Sequence, residues 1–245
     1  MLIETVNLIK KIRRSGMILF FILFFALEMS SQLNSEVGYT FSYLPLKTTN
    51  SIINLYNNGN NLAENETVLS PMGTLKLLHG FNIGLAYRVG TLKFGAFWNS
   101  LSANRSGTVG NVKEGIGREK NFYFNTNTFS FGMEAIVGHI GIGGTIDYNS
   151  SALKTKLKNI SSKVLISQGT KYTYYSNKVY LILYFRATDS FGVELKPYVS
   201  FPWERIDVSD LANLLDVGGD SSFDREKVMQ FGLTFSIING FQPDF

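Results

Sequence analysis

The strongest constraint on the fold is a period-two alternation of bulky apolar and small polar residues, which recurs along most of the chain. The last copy of the pattern sets Met229, Phe231, Leu233, Phe235 and Ile237 against Gln230, Gly232, Thr234 and Ser236. Successive side chains of a β-strand point to opposite faces, so the pattern predicts a strand with one apolar face and one small, uncharged face. An edge strand of a soluble sheet would carry charges on its solvent-facing side, and this one has none.

Eight such runs are present, at residues 37–43, 81–89, 92–98, 129–137, 140–148, 179–185, 191–201 and 229–237. Strict alternation over about eight to ten residues, repeated along a chain, is typical of an all-β protein. We find no convincing apolar period of 3.6 residues in the chain after its N-terminal segment. The sequence therefore predicts strands and no helix there.

The connections between the runs alternate in length. The second and third runs meet near Gly90, the fourth and fifth at Gly138–His139, and the sixth and seventh at Asp189–Ser190. The other four links are longer and polar, covering residues 45–78, 102–120, 150–177 and 204–227. Tight turns on one side and long loops on the other are typical of transmembrane β-barrels. We therefore predict one eight-stranded antiparallel up-and-down barrel, with short periplasmic turns, long external loops and both termini on the periplasmic side.

The polar faces of the runs indicate which side of this barrel meets lipid. A soluble lipocalin-like barrel, the alternative, would show the same alternation with its apolar residues inside. Its exterior would need many charges, whereas these faces consist mostly of Gly, Ser, Thr and Asn, which suit the narrow interior of eight strands. Aromatic residues also stand near the ends of the apolar faces, where interfacial girdles lie: Tyr43, Tyr87, Trp98, Tyr148 and Phe201.

The N-terminus has the order of a secretory signal peptide. Four basic residues precede an apolar run at residues 17–27, and Ser30 and Ser31 follow it. The run is shorter than the roughly 20 residues that a spanning helix needs, although an N-terminal membrane anchor is the alternative. We predict a signal peptide over residues 1–31 and a barrel domain over residues 32–245. With no cysteine and a net charge of +4, the chain offers neither a disulfide framework nor a nucleic-acid footprint.

With these features in place, residues 36–245 resemble the small outer-membrane β-barrel proteins of Gram-negative bacteria, such as OmpX and the membrane domain of OmpA. The resemblance implies integral insertion in the cell outer membrane, among outer-membrane lipids and lipopolysaccharide. It also implies that the C-terminal strand and its terminal aromatic, here Phe245, are recognised by the barrel-assembly machinery. Pro243 departs from that signal, so Phe241 and Phe235 are alternatives to Phe245. Members of this group differ in their loops, so the resemblance implies no activity.

Residues suited to catalysis or metal binding are scarce, and we predict no catalytic site, metal or cofactor. His79 and His139 fall on opposite sides of the membrane, which excludes a shared metal site. His79 with Ser100 or Ser102 leaves a lipid-modifying enzyme at the outer rim as an alternative. The acidic last loop lacks the spacing of a calcium-binding EF-hand; it contains Asp207, Asp210, Asp216, Asp220, Asp224 and Glu226.

Two sets of charged residues are candidates for function. Placing the polar faces in the lumen encloses a first set near the short turns: Arg88, Lys93, Glu134, Arg186, Glu194 and Lys196. Enclosed charges are rarely left unpaired, so we predict that Glu134 and Glu194 pair with Arg88, Arg186 or Lys196 and close the lumen.

The second set is basic and external. Residues 150–177 contain no acid and five lysines, which we expect to contact lipopolysaccharide phosphates or another anionic surface: Lys154, Lys156, Lys158, Lys163 and Lys171. The alternation continues through 153–158, so this connection is expected to protrude as a β-ribbon. The predicted function is a non-enzymatic barrel whose external loops bind a surface, a lipid or an envelope complex. A conduit for small solutes or hydrophobic ligands is the alternative, disfavoured because eight strands leave no open channel.

Overall fold

The computed structural model describes residues 33–59, 62, 66–111, 116–159, 164–188, 190–215 and 225–240. The predicted signal peptide (1–31), Lys163 and the C-terminal Phe241 and Phe245 lie outside these ranges. In the part of the chain that is described, every helix is too short or too polar to cross a bilayer.

Eight long strands form the body of the molecule: β1 (Leu33–Tyr43), β3 (Leu77–Val89), β4 (Leu92–Asn111), β5 (Ile116–Val137), β6 (Ile140–Asn159), β7 (Val164–Arg186), β8 (Phe191–Pro202) and β11 (Gln230–Asn239). The connections contribute shorter elements: helix α1 (Lys47–Asn57), β2 (Thr67–Ser70), β9 (Ile206–Asp207), helix α2 (Ser209–Leu214) and β10 (Arg225–Glu226). The eight long strands coincide with the eight predicted runs, and most extend beyond them.

The eight strands close into an antiparallel ring, because each pairs with its neighbours and β1 pairs with both β3 and β11. Following paired residues once around the ring from Tyr87 on β3 returns to β3 at Leu77, ten residues away. This stagger tilts the strands by about 40° from the barrel axis, as expected for a small closed barrel. The predicted all-β, eight-stranded antiparallel barrel is confirmed.

The two faces of the wall have opposite character. Outward side chains are bulky and apolar, and they remain exposed, as for Phe131 at 65% and Ile142 at 55%. Inward side chains between them are buried and many are small or polar, as for Ser130 at 1%, although Tyr180, Tyr184 and Tyr198 also point inward. The prediction that the apolar face points outward is therefore confirmed, and the soluble alternative with an apolar interior does not describe this part of the wall.

The β-ribbon expected in residues 150–177 is confirmed, whereas the long loop expected at residues 102–120 is wrong. The segments 102–120 and 150–177 are mostly strand, and they continue β4, β5, β6 and β7 well beyond the apolar belt. Above the belt the alternation persists with its polarity reversed: Ser102 and Asn104 point outward, while Leu101 and Ala103 are buried inside. The reversal has a physical reason, since the upper wall meets water outside and packs against apolar side chains inside.

Those apolar side chains belong to an external cap, formed by α1, α2 and the β9–β10 pair, that packs into the outer mouth of the barrel. The cap and the upper wall share one apolar cluster, whose buried members include Ile52, Ile53, Leu75, Phe122, Phe124, Leu153, Val208, Leu211 and Leu215. The expectation of a chain without helices is therefore wrong. Helix α1 buries Thr49, Ile52, Ile53 and Tyr56, which repeat at helical spacing.

Candidate functional site

A fully enclosed group of charges fills the lumen near the short turns; we call it the ionic cluster, and it consists of Glu36, Lys93, Glu134, Glu194 and Lys196. The Lys196 ammonium lies 2.7 Å from Glu36, 3.0 Å from Glu134 and 2.5 Å from Glu194. The Lys93 ammonium lies 2.9 Å from Glu134, 3.1 Å from Glu194 and 3.8 Å from Glu36. Each lysine therefore bridges all three carboxylates.

Strand register explains why these five residues meet. Lys93 and Glu134 are paired on β4 and β5, and Glu194 and Lys196 are two positions apart on the inner face of β8. Glu36 enters from β1, which lies two strands from β4 and two strands from β8. Neutral groups complete the site: the Tyr180 hydroxyl donates to Glu134 over 2.9 Å, and the Ser236 hydroxyl donates to Glu36 over 2.7 Å.

The ion pairs formed by the predicted interior charges agree with the expectation only in part. Glu134 and Glu194 both contact Lys196, as expected, and both also contact Lys93. Arg88 donates from Nε to the carbonyl of Gly90 and interacts electrostatically with both glutamates.

Arg186 lies half-buried at the end of β7 and interacts electrostatically with Tyr184. Sequence reasoning missed Glu36. It continues the inward row of Gly38, Thr40 and Ser42, but it precedes the first apolar residue of the run.

The carboxylate oxygens of Glu36, Glu134 and Glu194 lie within 4.8 Å of one another, the spacing of a cation site. The two lysine ammonium groups already lie among them. With Arg88 nearby, three negative charges face three positive ones, so the arrangement is electrically balanced. We therefore describe it as an ion-pair seal across the lumen.

Between the ionic cluster and the external cap, the enclosed spaces are small. The two described cavities there have volumes of about 30 and 10 Å³. Such volumes hold water molecules and nothing much larger. In the described part of the chain, the turn end of the lumen contains the ionic cluster together with Ile136, Ile182, Tyr184 and Ile238. Polar side chains occupy the middle, and apolar side chains occupy the external end.

The described lysines of the external set lie on one side of the β6–β7 ribbon. Lys154, Lys156 and Lys158 continue the outward row of Tyr148 on β6, and Lys171 is outward on β7, paired with Ala152. The Lys156 ammonium lies 5.3 Å from the centre of the Tyr123 ring. These four residues form a basic strip, and Glu119 on β5 is paired with Lys158 at its upper end.

The two histidines lie at opposite ends of the barrel, as expected. His139 is in the turn between β5 and β6, whereas His79 is near the external end of β3. His79 is paired with Ser102, but its Nδ1 forms a 2.5 Å hydrogen bond with the hydroxyl of Tyr39. A catalytic Ser–His pair usually has a carboxylate at that nitrogen, and a tyrosine hydroxyl does not supply the same charge.

The described acids of the last connection have structural roles. Both carboxylate oxygens of Glu226 accept hydrogen bonds at the start of α1, from the Thr48 and Thr49 backbone N–H groups at 2.8 and 3.0 Å. Hydrogen bonds from the side chain and backbone of Ser209 lower the pKa of Asp207. Asp216, Asp220 and Asp224 lie outside the described residues.

Comparison with known proteins shows no matching family model and no matching curated protein. Solved structures do match. The attachment invasion locus protein Ail of Yersinia pestis is 10% identical, covering 87% of this chain and 100% of its own, with a TM-score of 0.48. Neisserial surface protein A is 9% identical, covering 85% and 97%, with a TM-score of 0.38. The outer membrane protein OprG from Pseudomonas aeruginosa is 6% identical, covering 86% and 95%, with a TM-score of 0.38.

The geometry of the wall identifies the class of protein. In a bilayer every backbone group must be paired internally, which a closed barrel achieves with strands. An outward belt of exposed Phe, Leu, Ile and Val around a polar, charged interior is stable only when lipid surrounds it. The chain is a small eight-stranded transmembrane β-barrel of the Gram-negative outer-membrane type.

Proposed function

We propose that this barrel is a non-enzymatic outer-membrane protein whose basic strip binds the phosphorylated headgroups of outer-leaflet glycolipids. One observation carries the proposal: the four lysines of the basic strip lie on the outward face, above a cluster of three aromatic side chains. These are Tyr148, Tyr175 and Trp203. Assembly through β11 by the barrel-assembly machinery, and membership of a larger envelope complex, stay predictions.

The aromatic group marks the level of the membrane interface. The ring centres of Tyr148 and Tyr175 lie 5.6 Å apart, and those of Tyr175 and Trp203 lie 5.5 Å apart. Interfacial aromatics lie at headgroup level in barrels. Lys171 is four residues above Tyr175, about 13 Å along the strand and about 10 Å in height. A lysine side chain can extend its ammonium several ångströms toward the phosphates while its methylenes cover the wall.

A lipopolysaccharide-binding assay on lysine variants tests this proposal. Replacing all four lysines with Gln should weaken binding of the refolded barrel to lipopolysaccharide by at least tenfold, since a basic residue near an anionic surface contributes about 1 kcal/mol. The loss should shrink at high salt and with dephosphorylated lipid. The charge-matched control replaces four exposed basic residues elsewhere on the external side with Gln, namely Lys47, Lys76, Arg205 and Lys227, and should bind normally. Equal loss in both variants would contradict a specific strip.

The absence of catalysis is proposed on the environment of His79. Its Nδ1 contacts Tyr39, and the described structure brings no carboxylate to it by a hydrogen bond or ion pair. Lipid A from cells with and without the protein should therefore have the same mass spectrum. A mass change that disappears in His79→Ala would instead establish the outer-leaflet enzyme.

A further inference from the structure

A patch of neutral polar side chains interrupts the apolar outward face of the barrel on β3, β4 and β5. We call it the polar patch, and it consists of His79, Ser100, Ser102, Asn125 and Asn127. Strand pairing makes the polar patch continuous. His79, Ser102 and Asn125 form one row across the three strands, and Ser100 and Asn127 form the row below it. All five side chains are exposed or half-buried.

The stagger of the ring places the polar patch at the level of the lipid headgroups. Paired residues rise by about 3 Å per strand from β3 toward β8, because a shift of ten residues is spread over eight strands. Asn127 is paired through Ser150 with Thr173, so it lies about 6 Å below Thr173. Tyr175 follows on β7 at about 5 Å below Thr173. Asn127 therefore lies level with the interfacial Tyr175, where β6 to β8 have aromatic side chains instead.

The polar patch has hydrogen-bonding capacity to spare and no charge. Among the described residues, the side chains of its two serines and two asparagines form no hydrogen bond. His79 uses Nδ1 for the Tyr39 hydroxyl at 2.5 Å, which leaves Nε2 for a ligand. Serine hydroxyls and asparagine amides both donate and accept. No charged residue occurs in residues 77–81, 98–104 and 123–129, which contain the polar patch.

We infer that the polar patch binds the sugar hydroxyls of an outer-leaflet glycolipid headgroup. A sugar hydroxyl both donates and accepts, so it matches serine and asparagine, whereas a phosphate is bound better by the lysines of the basic strip. The position at headgroup level selects a membrane lipid over a soluble ligand. This inference deepens the proposed function and rests on it, since both assign a glycolipid to the outward face.

The surroundings of the polar patch fit such a headgroup. Below it the outward rows continue with the aromatic side chains Phe81, Trp98 and Phe129, which lie on the acyl-chain side. Beside it, Asn125 is paired with Ala152, and Ala152 is paired with Lys171 of the basic strip. Two strand spacings separate Asn125 from Lys171, which is about 10 Å. One headgroup lying across the wall therefore reaches the polar patch with its sugars and the basic strip with its phosphates.

Native mass spectrometry of the refolded full barrel with single probe lipids separates sugar recognition from phosphate recognition. The probes are monoglucosyl diacylglycerol, which has a sugar and no phosphate, phosphatidic acid, which has a phosphate and no sugar, and diacylglycerol as the reference. We expect the barrel to bind the glucosyl lipid more tightly than diacylglycerol. Asn127→Leu should weaken binding of the glucosyl lipid roughly three- to tenfold, as the loss of one or two hydrogen bonds does, and leave binding of phosphatidic acid unchanged.

Further variants make the test specific. His79→Phe keeps a ring and removes both nitrogens, and it provides the same comparison if Asn127→Leu does not refold. The control is Asn177→Leu, which makes the same change on the outward face of β7, outside the polar patch, and should bind all probes normally. The variant with Gln at the four lysines of the basic strip should show the reverse pattern, losing phosphatidic acid and keeping the glucosyl lipid. Failure of the proposed function would therefore leave the result for the polar patch intact.

Three results would overturn the inference. The first is a glucosyl lipid that binds no better than diacylglycerol, or that binds both polar-patch variants as well as the unaltered barrel. The second is weaker binding of phosphatidic acid in those variants, which would assign the polar patch to a phosphate group. The third is a dimer that both variants abolish, which would assign the polar patch to a second copy of the chain.

Discussion

At the scale of single residues, the ionic cluster stands out because five charged side chains are buried together. Desolvating a charge costs several kcal/mol, and attraction compensates only when every charge has close partners. Here each lysine contacts three carboxylates, and Tyr180 and Ser236 donate to oxygens that would otherwise be less well satisfied. The cluster therefore stabilises the barrel only as a complete set, and removing one member is expected to cost more than removing an oppositely charged pair.

Lys93→Met tests this cooperativity. The substitution leaves three carboxylates around one lysine, and it should lower the free energy of unfolding by about 3–5 kcal/mol. The double variant Lys93→Met with Glu134→Gln should recover part of that loss, because one uncompensated charge is removed with it. Urea unfolding in lipid vesicles or detergent measures both, with Lys76→Met at an exposed position as the control. A single variant as stable as the control would mean that the cluster contributes nothing.

Lipid-facing residues give a second prediction at this scale. Leu181 lies on the outward face of β7, between the interfacial Tyr175 and the turn end of the strand, and is 55% exposed. Leu181→Arg should destabilise the barrel by roughly 2–4 kcal/mol, whereas Tyr175→Arg at the interface should cost roughly 0–1 kcal/mol. Refolding titrations in bilayers of defined thickness provide the measurement. Equal costs at the two depths would contradict the assigned position of the membrane.

At the scale of elements, the alternation predicts the membrane part of each strand well, because lipid demands apolar residues at every second position. It does not predict the upper halves of β4 to β7. There the outward row becomes Ser102, Asn104 and Ser106 and the inward row becomes apolar, so a search for continuous apolar rows ends at the membrane. The upper wall depends on tertiary packing against the cap, which a local pattern does not reveal.

The helix in the first connection and the residues of the ionic cluster show the same limit. Thr49, Ile52, Ile53 and Tyr56 have helical spacing, but one polar member and the short length obscure it. The parity of positions along each strand predicted which charges enter the lumen. Which charges then meet depends on the stagger of the ring, which the sequence does not contain. Lys93 therefore became a central partner beside Lys196, although the sequence suggested Arg88, Arg186 or Lys196 as the partners.

Strand β8 contains a local weakness. Its pairing with β7 resumes on both sides of Pro197, at Tyr180 with Tyr198 and at Leu183 with Leu195, but skips Pro197 and the adjacent Lys196. Proline has no N–H to donate, so the ladder is interrupted within the belt. Pro197→Val should raise the unfolding free energy by about 0.5–1.5 kcal/mol, the net contribution of one hydrogen bond. Leu195→Val, where the ladder is intact, should bring no gain; a loss of stability in Pro197→Val would contradict the interpretation.

At the scale of the whole molecule, the barrel has three internal layers: the ionic cluster, the polar middle and the apolar cap. The layers correspond to what surrounds them, because the first two lie inside the membrane belt and the third lies above it. The lumen is closed by ion pairs at the turn end and by apolar packing at the external end. This double closure favours a barrel that anchors an external surface over a barrel that conducts solutes. The long strands carry that surface outward from the membrane belt, starting at the level of the lipid headgroups.

The orientation of the molecule is testable on cells. An epitope tag after Gly59, in the connection that contains α1, should be labelled on intact cells. A tag in the β5–β6 turn at Gly138, or after Phe245, should be labelled only after permeabilisation, since short turns and both termini are assigned to the periplasmic side. Labelling of the C-terminal tag on intact cells would contradict an even number of membrane strands.

The contact between Glu226 and α1 has a consequence for the order of folding. Glu226 lies between β8 and β11, near the end of the chain, whereas α1 follows β1, so this contact spans almost the whole barrel sequence. The loop entropy of so distant a contact is large until β1 and β11 pair, and the cap therefore consolidates last. The time at which the cap becomes protease-resistant during refolding therefore reports when the barrel has closed. In Glu226→Ala the barrel should close at its normal rate, while protease resistance of the cap should appear late or not at all. Pulse proteolysis during refolding measures this resistance. A cap that resists digestion before β1 and β11 pair would exclude this order.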